Sequence, residues 1–202
     1  MTPIALTPAD ALIIVDLQND FLPGGALGVP QGDEVVAPIQ QLIDLYQAHN
    51  LPIYASRDWH PVGHCSFTQQ GGPWPIHCIA GSSGAAFSAA IPVEQFATVI
   101  SKATTVEQDA YSAFNGTDLG EALRARGIAR VAVCGLATDY CVLNTARDAL
   151  AEGFGVWLVL DAIRAVEVQP GDGARAIAAM LAAGAQPVQV DQAGLHAASA
   201  QL

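Results

Sequence analysis

Six short runs of mostly apolar, β-branched residues alternate along this chain with amphipathic stretches; the runs lie at 11–16 (ALIIVD), 51–56, 98–102, 130–135 (RVAVCG), 155–160 (GVWLVL) and 187–190. Apolar on both sides of the pleat, each reads as a strand covered on both faces, as in a parallel sheet. The stretches between them, at 33–49, 117–126, 138–152 and 172–183, read as the helices that cross from one parallel strand to the next. Asp or Thr at or near several of their starts predicts side-chain caps. Gly127 and Gly153 predict where two of them stop. Strand, helix, strand in this order calls for a doubly wound, three-layer α/β fold with a mostly parallel six-stranded sheet. Reactive groups should then gather beyond the carboxyl ends of the strands.

With 202 residues, 51% of them hydrophobic, the chain is read as one domain over residues 1–202. A domain of that size buries roughly 70% of its unfolded surface. No period repeats and no low-complexity linker divides it. The net charge is −11, and the eight Lys and Arg residues form no run. That balance argues against a nucleic-acid partner. The start, MTPIALTPAD, carries no positively charged leader, and no apolar run approaches the roughly 20 residues of a membrane helix. A cytoplasmic protein without a membrane partner is expected, monomer or homo-oligomer being left open. Cys65, Cys78, Cys134 and Cys141 are too few for a disulfide scaffold and are expected to be reduced.

The alternation breaks once. Residues 57–96 contain no convincing helix and are far longer than an ordinary connection, which in a compact domain usually signals function. Asp58, His60, His64 and His77 crowd this segment, together with two of the three Trp residues. If residues 51–56 are a strand, Asp58 and His60, at i and i+2, point to one side of its extension, and His64 and His77 return on loops. Three imidazoles and a carboxylate suit Zn²⁺, Fe²⁺ or Mn²⁺ and leave positions for water or substrate. Singly, each histidine reads as an ordinary surface or core residue; the clustering is what argues for a metal. Cys65 after His64 and Cys78 after His77 also allow a Cys₂His₂ structural zinc, but the usual close-spaced knuckles are missing and the chain has core enough without one.

Reactive side chains fall where the sheet would deliver them. Asp16 ends the first run in IIVDLQNDF, and Lys102 ends the third in VISKATT. Cys141 follows the fourth run after a short turn, near the start of the next helix, where the field favours thiolate and a neighbouring ammonium would favour it further. Taken alone, Cys141 and Cys134 read as small buried hydrophobes, Asp16 as a cap and Lys102 as a solvated charge. Their joint placement argues for chemistry at Asp16, Lys102 and Cys141.

The segments IIVDLQNDF, DWHPVGHCSF, WPIHC, SK and GLATDYCV, in this order and spacing, resemble the nicotinamidase branch of the isochorismatase-like hydrolases over about residues 11–190. The resemblance implies a catalytic triad of Asp16, Lys102 and Cys141, and one divalent metal, Zn²⁺ first with Fe²⁺ or Mn²⁺ as alternatives, on Asp58, His60, His64 and His77. It further implies a cis peptide between Leu136 and Ala137, an oxyanion hole from the N–H groups of Ala137 and Cys141, and substrate contacts from Phe21, Trp74, Leu136, Ala137 and Tyr111. The implied reaction is hydrolysis of nicotinamide to nicotinate and ammonia, a step of NAD salvage, with pyrazinamide also accepted. Asp16 takes the Cys141 proton, the thiolate attacks the carboxamide, and water resolves the thioester, while the metal holds the pyridine nitrogen. One position departs from the pattern, because Ala103 stands where the family often has Gly after the lysine. Competing readings are a related cysteine amidohydrolase for another small amide, a silent metal- or ligand-binding copy of the fold, and a thiol redox protein. The full histidine loop, the filled triad and the absence of a Cys-x-x-Cys pair argue against these in turn.

Overall fold

In a computed structural model describing residues 3–191 and 194–198, the strands join into a single mixed sheet. The reading of one domain over residues 1–202 therefore extends, at both ends, outside the described residues. The strands are β1 (Pro3–Ile4), β2 (Asp10–Val15), β3 (Ile53–Asp58), β4 (Thr98–Lys102), β5 (Arg130–Leu136), β6 (Gly155–Arg164), β7 (Gln186–Asp191) and β8 (Gly194–Ala197). Their order across the sheet is β1-β8-β7-β6-β5-β2-β3-β4. The six expected strands are β2 to β7, and all of their mutual pairings are parallel. Two further strands, β1 and β8, add an antiparallel edge, so the sheet has eight strands rather than six.

Four helices cover it: α1 (Val36–Ala48), α2 (Leu119–Ala125), α3 (Leu143–Ala151) and α4 (Asp172–Ala182). Alternate residues of β2 and β5 explain the three layers. Leu12, Ile14, Ala132 and Cys134 pack with Ile39, Leu42 and Tyr46 of α1. Ile13, Val15, Val131 and Val133 pack on the other face with Leu123 of α2, Ala146 of α3 and Met180 of α4. At roughly 1.5–3 kcal/mol for each large apolar side chain withdrawn from water, these two clusters are the main stabilising term of the fold.

The expected side-chain caps are absent: none of the four helices has a capping hydrogen bond from its N-cap residue. Each is entered from a preceding turn instead, and only Thr117 comes near a cap, its Oγ1 accepting from the Leu119 N–H at 3.3 Å. Gly127 and Gly153 do follow the ends of α2 and α3 at φ of +68° and +90°, where a side chain would be strained. Between β3 and β4 there is no α-helix, only short 3₁₀ turns at Thr68–Gln70 and Val93–Gln95. This loop is nevertheless packed, because Cys78, Ala85, Phe87, Ile91 and Val93 join the α1 side of the core in place of a crossover helix. No helix among the described residues is long and apolar enough to cross a membrane.

Candidate active site

The parallel register sets Asp58 beside Lys102 at the carboxyl ends of β3 and β4. Fully buried, the Lys102 ammonium donates to Asp58 Oδ1 at 2.5 Å and to the Ala110 carbonyl at 3.1 Å. It also forms an ion pair with Asp16 Oδ2 at 2.9 Å, without the alignment of a hydrogen bond, and lies 3.4 Å from Cys141 Sγ. Asp16 follows β2 with φ of 47°, a left-handed turn that takes the main chain out of the sheet and leaves the carboxylate inside. The Ser56 hydroxyl donates to its Oδ1 at 2.6 Å. Gly135 allows β5 to pass this point, since a Cβ there would collide with the Val15 carbonyl. The Leu136–Ala137 peptide is cis. Beyond it the chain makes a π-helical turn, Thr138–Val142, which presents Cys141 and runs into α3.

Charge is shared unequally among these groups. Burial pulls the Lys102 ammonium down, but Asp16 and Asp58 outweigh it and hold the lysine well above its ordinary range. Burial pushes Asp58 up, and Lys102 and His60 more than reverse this, so Asp58 is held well below the usual carboxylate range. For Asp16 burial wins: Lys102 and Ser56 only partly offset it, and the nearby Asp58 charge adds to it, leaving a carboxylate of raised proton affinity. Burial likewise pushes the Cys141 thiol well up, against the pull of Lys102, with Asp16 and Asp58 adding to the effect. This corrects the expectation of a thiolate-favouring field. Asp16, whose carboxylate lies within 4.8 Å of the sulfur and whose own proton affinity is raised, is the group placed to take the thiol proton.

Asp58, His60 and His77 form the metal-type cluster, each offering a ligand atom within 4.8 Å of the others. The His60 and His77 Nε2 atoms face Asp58 Oδ2 at 3.6 and 3.9 Å. Their Nδ1–H groups donate to the carbonyls of Ala103 at 3.2 Å and Pro75 at 2.8 Å, which fixes the tautomer with both Nε2 lone pairs directed inward. His60 Nε2 is buried with no hydrogen-bond partner. An orphaned acceptor beside a second imidazole and a carboxylate fits a divalent cation, and the donor set suits zinc or iron. His64 is placed differently. It stacks on His60 at 4.1 Å between centroids, yet its Nδ1 accepts from the Ser66 N–H at 3.3 Å and its Nε2 donates to the Gln108 carbonyl at 3.1 Å. The structure thus brings three of the four candidate ligand atoms within 4.8 Å of one another and sets the fourth residue, His64, against His60 with its Nε2 on the Gln108 carbonyl.

A small cavity, partly open to solvent, connects the two clusters. Phe21, Trp74, Tyr111, Ala137 and Cys141 all line it. Leu136 does not, its side chain being fully buried in the core on the α1 face. Trp74 Nε1 donates to the Tyr111 hydroxyl at 3.0 Å, and Tyr140 meets Trp74 edge-on at 4.8 Å. Tyr140 was within a recognised segment but carried no expected role. The same holds for Asp20, whose Oδ2 accepts from the Cys78 N–H at 2.7 Å, and for Asp139, whose carboxylate accepts from the N–H groups of Val166 and Glu167. All four cysteines are free.

Residues 10–192 match the model of the isochorismatase domain. The nicotinamidase of Escherichia coli is 42% identical over 199 residues, covering 88% of this chain and 93% of that protein. The crystal structure of the Pyrococcus horikoshii pyrazinamidase in complex with zinc superposes with a TM-score of 0.85 at 47% identity, over 90% of this chain and 99% of that one. A solved structure from L. infantum, in complex with nicotinate, gives a TM-score of 0.85 at 36% identity over 93% and 96% of the two chains. With the strand-end cluster, the metal-type cluster and these likenesses in agreement, the chain belongs to the isochorismatase family.

Proposed function

We propose that this chain is a metal-dependent cysteine amidohydrolase that converts nicotinamide and water to nicotinate and ammonia, and that it also takes pyrazinamide. The observation that carries the reading is Lys102, a buried ammonium that touches Asp58 of the metal-type cluster and both Asp16 and Cys141. One aromatic-walled cavity is then lined by Cys141 on one side and by the metal-type cluster on the other, with Asp16 buried behind the sulfur. The named activities of the E. coli and P. horikoshii relatives and the nicotinate in the L. infantum structure support it.

In this reading Asp16 accepts the Cys141 proton as the sulfur attacks the carboxamide carbon. The negative charge moves onto the amide oxygen, where the N–H groups of Ala137 and Cys141 stabilise it, one good donor being worth about 3–4 kcal/mol. Asp16 then passes the proton to the nitrogen, the C–N bond breaks and ammonia leaves. Water attacks the thioester, giving its proton to Asp16 and releasing nicotinate with the thiol restored. Lys102 keeps the pocket near neutrality while the charge moves. Phe21 and Trp74 hold the ring, with Tyr111 bracing Trp74. Asp58, His60 and His77 would hold the ion, zinc by the P. horikoshii likeness. Such an ion supplies an electrophilic position that orients the pyridine nitrogen and binds water. The whole chain acts as one domain, in the cytoplasm, within pyridine nucleotide salvage.

The test is release of ammonia and nicotinate from nicotinamide by the purified, zinc-loaded protein. Turnover of other small amides with none of nicotinamide would refute the substrate assignment.

A further inference from the structure

A parallel ladder is broken beside Asp58 and then rebuilt by a side chain. β2 and β3 pair through Ile14 and Ala55, and the Asp16 N–H still donates to the Ser56 carbonyl at 3.1 Å. Continued regularly, the ladder would send the Asp58 N–H to the Asp16 carbonyl and the Gln18 N–H to the Asp58 carbonyl. Neither bond forms. The left-handed turn at Asp16 folds the chain back, and the Gln18 N–H donates to the Asp16 carbonyl at 2.8 Å. This leaves both main-chain groups of Asp58 without a strand partner in a buried place, where an unmet polar group is costly.

The Gln18 carboxamide supplies both. Its Oε1 accepts from the Asp58 N–H at 2.8 Å, and its Nε2 donates to the Asp58 carbonyl at 2.8 Å. The same Nε2 donates to the Ala85 carbonyl at 2.8 Å, which fixes the amide from the loop side. Gln18 is completely buried. Its amide is thus a substitute peptide, holding Asp58 in extended geometry one step beyond the end of β2. That geometry aims Oδ1 at Lys102 and Oδ2 at His60 and His77.

We infer that Gln18 is a positioning residue for the metal site, setting the Asp58 carboxylate so that one oxygen serves Lys102 and the other is presented to the cation. The inference rests on the proposed metal role of Asp58, His60 and His77. It explains how Asp16 can leave the sheet for the nucleophile without disordering Asp58.

The experiment is competition titration of Zn²⁺ against a fluorescent chelator, with the folded protein well below its thermal transition. Gln18→Met, close in size but unable to pair, should weaken Zn²⁺ binding by about 10- to 100-fold, the usual effect of losing a group that orients a metal ligand. Gln18→Glu, which keeps the acceptor and alters the donor, should weaken it in the same direction and serves if the Met variant does not fold. A general loss of stability would lower the melting temperature of both without changing the affinity of the folded protein. The decisive arm repeats Gln18→Met in an Asp58→Asn background. Action through Asp58 predicts little further loss there, whereas an equal loss in both backgrounds overturns the inference. Unchanged affinity in Gln18→Met and Gln18→Glu also overturns it while leaving the metal reading intact. A wild-type protein whose Zn²⁺ affinity ignores His77→Ala overturns both.

Discussion

The two sides of the cavity are built from different material. Asp16, Lys102 and Cys141 are delivered by the ends of β2, β4 and the turn after β5, so register and core packing fix their positions. His60 and His77 stand on a loop without α-helix, and they are aimed by single hydrogen bonds to the carbonyls of Ala103 and Pro75. Asp58, the last residue of β3, belongs to both sides. The strand-borne groups should hold their geometry with or without an ion. The loop-borne groups converge inward lone pairs on one point, an arrangement that a cation completes.

The largest effect expected from this division comes from Cys141→Ala. Removing the nucleophile should cost at least about 10⁴-fold in kcat/KM, judged by other triads. Zinc stoichiometry and melting temperature should stay near wild type, and a parallel loss of zinc would mean the two sides are not separable.

Removing the ion should be smaller in effect and opposite in pattern. Chelation, or His60→Ala, should lower kcat/KM by roughly 10²-fold or more as zinc occupancy falls. Circular dichroism should show the fold retained, because the two apolar clusters do not depend on the loop ion. Iodoacetamide should still label Cys141 in the metal-free protein, more slowly with nicotinate present. Cooperative global unfolding on chelation would instead indicate a structural ion.

A subtler probe acts on the strand-borne side alone. The Ser56 hydroxyl holds the Asp16 pKa down against burial, so Ser56→Ala should raise it further. Asp16 must be ionised to take the thiol proton, and activity is lost as pH falls through its pKa. The acid limb of the kcat/KM profile should therefore move to higher pH, with zinc affinity unchanged. An acid limb that stays in place would argue that another group is the base.

How far the sequence discloses this arrangement depends on what fixes each part. β2 through β7 are legible because a strand covered on both faces is a continuous apolar run, as in the fully buried β2. β1 and β8 are not, since Pro3–Ile4 and Gly194–Ala197 are short edge pieces whose pairing is decided by the hairpin with β7. Asp16 and Lys102 stand out as polar residues at the ends of such runs, and Cys141 as a thiol just after the turn that follows the fourth. His64 shows the limit of spacing as evidence. It lies four residues from His60 in the same loop, and its Nε2 meets the carbonyl of Gln108, far along the chain, a contact that spacing does not encode. Gln18 and Tyr140 lie in recognisable segments, yet their tasks depend on a turn and a ring contact that sequence spacing does not encode. Ala103 illustrates the converse. It occupies a left-handed φ of 51°, which accounts for the glycine often found there, and the departure changes the local backbone cost without moving the Ala103 carbonyl away from His60.

The central claim is that the metal-type cluster holds the substrate ring while the strand-borne cluster attacks its carboxamide. Comparing kcat/KM for nicotinamide and benzamide tests it most directly, because benzamide keeps the amide and the ring size and lacks only the ring nitrogen. Phe21 and Trp74 would stack on either ring about equally. A site that pairs the nitrogen should favour nicotinamide by about 10²-fold or more, equivalent to about 3 kcal/mol. Comparable rates on the two amides would contradict the account, and the cluster of Asp58, His60 and His77 would then have to act on water or on structure alone.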